Sequence, residues 1–66
     1  MNKATLQTYV RSTVNSTPRS AQTITALIQK HFPNDKQITT GKVKIILTQL
    51  HYAGLVKCIE PDLYYI

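Results

Sequence analysis

Thr39-Thr40-Gly41-Lys42-Val43-Lys44-Ile45-Ile46-Leu47-Thr48-Gln49-Leu50-His51-Tyr52-Ala53-Gly54-Leu55-Val56 is the stretch on which the fold turns. Val43, Ile46, Leu47 and Leu50 recur at helical spacing, so one side of the segment faces a core. The opposite side carries Lys42, Lys44, Thr48 and Gln49, side chains able to donate hydrogen bonds to phosphates or base edges. The spacing predicts a helix from about Thr40 to Ala53, with Thr39 or Thr40 as its cap and Gly54 as the residue that stops it.

Downstream, Val56-Lys57-Cys58-Ile59 and Leu63-Tyr64-Tyr65-Ile66 are rich in β-branched and aromatic residues. Glu60-Pro61-Asp62 lies between them, which predicts a hairpin with a three-residue loop. Tyr64 and Tyr65 alternate across the second strand, so one packs inward and the other faces out. Upstream, Ala21, Ile24, Leu27, Ile28 and Phe32 form the buried face of a second helix. It starts at Ser20 as N-cap or at Thr17 with Pro18 in the first helical position, and Pro33 ends it. Asn34-Asp35-Lys36-Gln37 is a polar loop, with Ile38 an anchor under the next helix. Before all this, Lys3 to Val14 reads as a helix with the stripe Leu6, Tyr9, Val10, Val14, closed by Asn15-Ser16-Thr17-Pro18.

The order is helix, helix, helix, hairpin in a single domain, residues 1–66: mainly α with a small β-hairpin. At 66 residues the core is near the lower limit for independent folding, and a hydrophobic fraction of 42% is too high for a disordered tail. Eight Lys and Arg against three acids give a formal charge of +5, a bias toward polyanions. The acids are Asp35, Glu60 and Asp62, all in predicted turns, so no predicted helix carries a negative side chain. No apolar run is long enough for a membrane span, and Ala4 to Val10 lacks the apolar core of a signal peptide. Together with a lone Cys58, this predicts a cytoplasmic protein.

From about Arg19 to Ile66 the chain resembles the winged helix-turn-helix superfamily, including MarR-like and small phage or fimbrial regulators. Ser20-Ala21-Gln22-Thr23-Ile24 resembles the start of the first helix of a helix-turn-helix. Val43-x-x-x-Leu47-x-x-Leu50-x-x-Ala53-Gly54-Leu55-Val56 resembles the end of its recognition helix, with Leu55 plugging the core as the chain enters the wing. The resemblance implies a small double-stranded-DNA-binding protein of bacterial, phage or mobile-element origin, a transcriptional regulator or architectural factor. Helix 40–53 would enter the major groove. Lys42 and Lys44 would touch the backbone, and Thr48 or Gln49 the bases. Thr39, Thr40 and Gly41 would allow close approach at the helix N-terminus, with Arg19 and Lys57 as further phosphate contacts. Family wings that touch DNA carry Arg or Lys at the tip; here Glu60-Pro61-Asp62 would repel the backbone, so the helix must supply the affinity. A homodimer or several adjacent sites would give specificity.

The rival expectation is a protein-binding adaptor or inhibitor on the same scaffold that does not bind DNA, favoured by the acidic wing tip and the absence of Arg from the third helix. His31, His51 and Cys58 match no zinc spacing and leave a site one ligand short, so no metal or cofactor is expected. Cys58 has no base or orienting carboxylate near it in sequence. With no Gly-rich phosphate loop and little room for a pocket, neither catalysis nor a small-molecule substrate is expected.

Overall fold

Each helix begins where a short polar side chain can take over a free backbone N–H. The computed structural model describes residues 2–59 and 61–66. Helix α1 spans Lys3–Thr13, and Asn2 Oδ1 accepts from Thr5 N at 2.8 Å. Helix α2 spans Ala21–His31, with Ser20 Oγ accepting from Thr23 N at 3.2 Å. Ser20, not Thr17, is therefore the start. Helix α3 spans Thr40–Tyr52 and is capped by Thr39, whose Oγ1 accepts from Lys42 N at 3.2 Å. None of the three has an acid in its first turn.

The three helices enclose one core, formed mainly by Leu6, Val10 and Val14 from α1 and its exit, Ala21, Ile24 and Ile28 from α2, and Val43, Ile46, Leu47 and Leu50 from α3. Ile38 is 2% exposed and anchors the loop between α2 and α3, as its place before the cap predicts. Gln29 Nε2 donates to Ile38 O at 2.9 Å and pins that anchor to α2. Three predicted core positions are only partly buried. Leu27 and Phe32 are half-buried, and Tyr9 is 38% exposed, meeting Phe32 edge-on with centroids 4.9 Å apart. Thr25 is buried in their stead, because its hydroxyl donates to Ala21 O at 2.7 Å and so enters the core already satisfied.

Helix α3 ends on Ala53, and Gly54 follows with φ +78°, in the left-handed region. Leu55 N then donates to Leu50 O at 2.9 Å, closing the helix end. An alanine at position 54 keeps this φ at a strain of about 1 kcal/mol. Gly54→Ala is therefore expected to lower the melting temperature by several degrees, readable by circular dichroism. The residue that plugs the core after this turn is Val56, 3% exposed; Leu55 is 43% exposed, which corrects the expectation. The tight left-handed exit carries Leu55 past the core, and the next side chain turns in.

Strands β2 (Lys57–Ile59) and β3 (Leu63–Tyr65) form the expected hairpin, with Ile59 opposite Leu63 and Lys57 opposite Tyr65. Of the loop expected at the tip, Glu60 lies outside the described residues. A third strand was not expected: β1 (Arg19–Ser20) pairs antiparallel with β3, placing Arg19 opposite Tyr64. The sheet order is β1-β3-β2, so β3 is central. Tyr64 is the inward tyrosine at 5% exposure, and Tyr65 lies on the other face, half-buried. The architecture is mainly helical, in a helix-helix-helix-wing layout. No described helix is long and apolar enough to cross a membrane.

Candidate nucleic-acid interface

Four buried aliphatics orient α3 and thereby its outer face. Val43, Ile46, Leu47 and Leu50 are all at or below 2% exposure, so the residues between them are turned to solvent. Thr40, Gly41, Lys42, Lys44, Ile45 and Gln49 are exposed, and Thr48 is half-buried. Thr39, Thr40, Gly41, Lys42, Thr48 and Gln49 thus share one helix, as the sequence predicts. Thr39 and Thr48 already have structural bonds: Thr39 caps the helix, and the Thr48 hydroxyl donates to Lys44 O at 2.9 Å. Each hydroxyl oxygen keeps accepting capacity. Gly41 adds a bare spot, for a Cβ placed there would meet nothing within 4 Å.

Lys44 stands apart from the others. Its ammonium is 2.5 Å from Asp62 Oδ1 in the hairpin loop and lies over the Tyr64 ring, 5.9 Å from its centroid. The wing acid does not project toward a ligand; it holds a lysine of α3. Both side chains are partly exposed, 46% and 34%. The contact is therefore worth little for stability but matters for how many free cations α3 offers. The ion pair raises the Lys44 pKa above its ordinary 10.5. Burial raises the Tyr64 phenol above its ordinary 10.0. In both cases the folded protein holds a proton that the unfolded chain gives up sooner, so this stability is present below pH 10 and lost above it. Thermal stability is expected to hold up to about pH 9 and fall beyond pH 10. Tyr64→Phe should make that fall shallower in a melting series.

The remaining sequence-predicted residues lie elsewhere. Arg19 is half-buried in β1, and its guanidinium donates to Thr13 O at 3.0 Å, covering a carbonyl at the end of α1. Lys57 is exposed on β2, with Nζ 5.8 Å from the Tyr65 centroid. These two occupy opposite edges of the sheet, with β3 between them. They do not form one patch.

Three residues absent from the sequence-based site belong beside it. Lys3 and Lys42 both line an open groove of about 340 Å³ floored by Leu6, Ile38, Ile45 and Ile46. Lys3 is thereby placed near Lys42, which nothing in the linear sequence signals. Ile45 is 57% exposed on α3, and its place off the 43/46/47/50 stripe was the available signal. Asp62, as the partner of Lys44, is the third. His51 Nδ1 donates to Val56 O at 3.2 Å, fixing the turn after α3. Among the described residues no three of His, Cys, Asp and Glu gather in a metal-binding group. Comparison with protein-family models, with curated proteins and with solved structures finds no match for this chain.

Proposed function

We propose that this is a small DNA-binding protein on a winged helix-turn-helix scaffold, acting in the cytoplasm as a transcriptional regulator or architectural factor. Helix α3 would enter the major groove. The observation that carries the reading is the outer face of α3: Gly41, Lys42 and Gln49 exposed on a helix seated by four buried aliphatics, in a chain of charge +5 with no acid in any described helix. Lys42 and Lys3, which line one groove, would follow phosphates, and Gln49, about two turns beyond Lys42 on α3, would reach a base edge. With Lys44 held by Asp62, about three phosphates would be neutralised, two through Lys3 and Lys42 beside α3 and one through Lys57 on the separate edge strand β2. That number gives a slope near −2.7 for log affinity against log salt. A dimer or adjacent sites would be needed for tight specific binding.

The test is titration of random duplex DNA at about 50 and 200 mM salt. Expected is binding that weakens about fortyfold across that range and is lost in Lys42→Glu. No binding at the lower salt would reject the reading. A protein-binding adaptor is the second reading, and one observation favours it: Tyr52 is 84% exposed at the end of α3, with Leu55 at 43% just beyond. Exposed tyrosine beside an aliphatic residue is characteristic of protein contact surfaces.

Gly41 gives a further check. Gly41→Ala meets no neighbour in the protein and removes a poor helix former, so it should stabilise the fold by about 0.5 kcal/mol. The added methyl would stand between α3 and a closely approaching duplex. The expected result is a higher melting temperature with weaker DNA binding, and stabilisation with unchanged binding would remove close approach at this position.

A further inference from the structure

Ile45 is the one aliphatic residue of α3 that the core does not use. Val43, Ile46, Leu47 and Leu50 are 0–2% exposed, whereas Ile45 is 57% exposed. Its neighbours one turn away along the helix are Gly41, Lys42, Thr48 and Gln49, none of them apolar. Side chains on a helix lean toward its N-terminus, so Ile45 extends toward the turn occupied by Gly41. With no side chain at Gly41, and open space where a Cβ there would stand, Ile45 is left exposed toward that turn among the described residues.

Resting on the DNA-binding reading above, we infer that Ile45 reads the 5-methyl group of thymine in the major groove. The chemistry follows from what surrounds it. A helix that docks on protein through its apolar face presents several anchors at three- and four-residue spacing. The apolar neighbours of Ile45, namely Leu6, Ile38 and Ile46, lie along the groove at one side of it, and on α3 Ile45 has no anchor at those spacings. It has instead a cation three residues before it and an amide four residues after it, groups suited to a phosphate and a base edge. Among groove-edge groups the thymine methyl is the one that an aliphatic side chain recognises, and it distinguishes thymine from every other base. Ile45 and Gln49 together would then favour A·T pairs, the amide on adenine and the branched side chain on thymine.

Uracil pairs as thymine does but lacks the methyl, and so isolates the contact. The experiment compares a random-sequence duplex pool, and then duplexes selected from it, made with thymine or with uracil. It uses wild type, Ile45→Ala and Lys42→Glu, each checked for folding by circular dichroism. Expected is a loss of about fourfold in wild-type affinity on removing the critical methyl, the size that burial of one carbon gives. Ile45→Ala should bind thymine and uracil duplexes equally. Equal wild-type affinity for both duplexes, while Lys42→Glu still abolishes binding, would overturn the role of Ile45 and leave DNA binding standing. Thymine preference persisting in Ile45→Ala would overturn it as well. Absence of any duplex binding by wild type at 50 mM salt would reject the DNA-binding reading itself, and this inference with it.

Discussion

Leu47→Ala is expected to leave much of the protein unfolded at 25 °C. Leu47 is fully enclosed at 0% exposure and forms part of the core shared by all three helices. Truncating a leucine at such a site costs about 2–5 kcal/mol, part for lost transfer energy and part for the cavity. A single core in a chain of this size supplies only about 3–5 kcal/mol in total. The two quantities are comparable, so the substitution removes most of the margin. Urea titration followed by circular dichroism measures it. The control lies two residues away: Ile45→Ala changes an aliphatic residue of the same helix that is 57% exposed. It should shift stability by less than about 0.5 kcal/mol. Equal effects at both positions would mean that α3 is rotated relative to the seating described.

Asp62→Asn should strengthen DNA binding and steepen its salt dependence. In the wild type the Asp62 carboxylate holds the Lys44 ammonium at 2.5 Å, and so removes one cation from the outer face of α3. Neutralising the acid frees Lys44 for a phosphate. One further phosphate contact steepens the log–log salt slope by about 0.9, from near −2.7 to near −3.6. Affinity should rise severalfold at 50 mM salt, and the loss between 50 and 200 mM should grow by about another threefold. Stability should change by less than about 1 kcal/mol, because the pair is partly solvated. Lys44→Gln closes a double-mutant cycle: alone it should do little, and combined with Asp62→Asn it should cancel the gain. If Asp62→Asn leaves the slope unchanged, Lys44 has no phosphate within reach and the duplex contacts only the Gly41–Lys42 end of α3.

The helices were legible because their signals are local. Ser20 and Thr39 precede regular apolar spacing, Pro33 and Gly54 punctuate it, and the helices observed follow within a residue or two. The hairpin was legible from its β-branched and aromatic runs. Strand β1 was not, since two residues without alternation, Arg19 and Ser20, acquire strand character only from pairing with β3 at the far end of the sequence. Leu55 was misplaced for a related reason. One left-handed residue decides whether the first or the second side chain after the helix points inward, and spacing alone does not carry that angle.

The candidate site divides in the same way. That α3 turns Lys42 and Gln49 outward followed from its period. That Lys44 is neutralised did not, because Asp62 lies 18 residues away and meets it only once the hairpin folds back. The acidic tip read as an obstacle to DNA; its described acid, Asp62, instead modulates the charge of the helix. Arg19 read as a phosphate anchor on position alone, and burial beside β3 turns part of its guanidinium to the end of α1.

The central place of β3 bears on how the molecule is made. During vectorial synthesis β3 leaves the ribosome after both strands that flank it, and Ile66 N reaches back to Asn15 O at 2.9 Å only then. No part of the sheet can therefore close until β3 has been made. The Lys44–Asp62 contact likewise waits on the hairpin: until it folds back onto α3, Lys44 is not held by Asp62 and the helix carries one more free cation than in the folded protein.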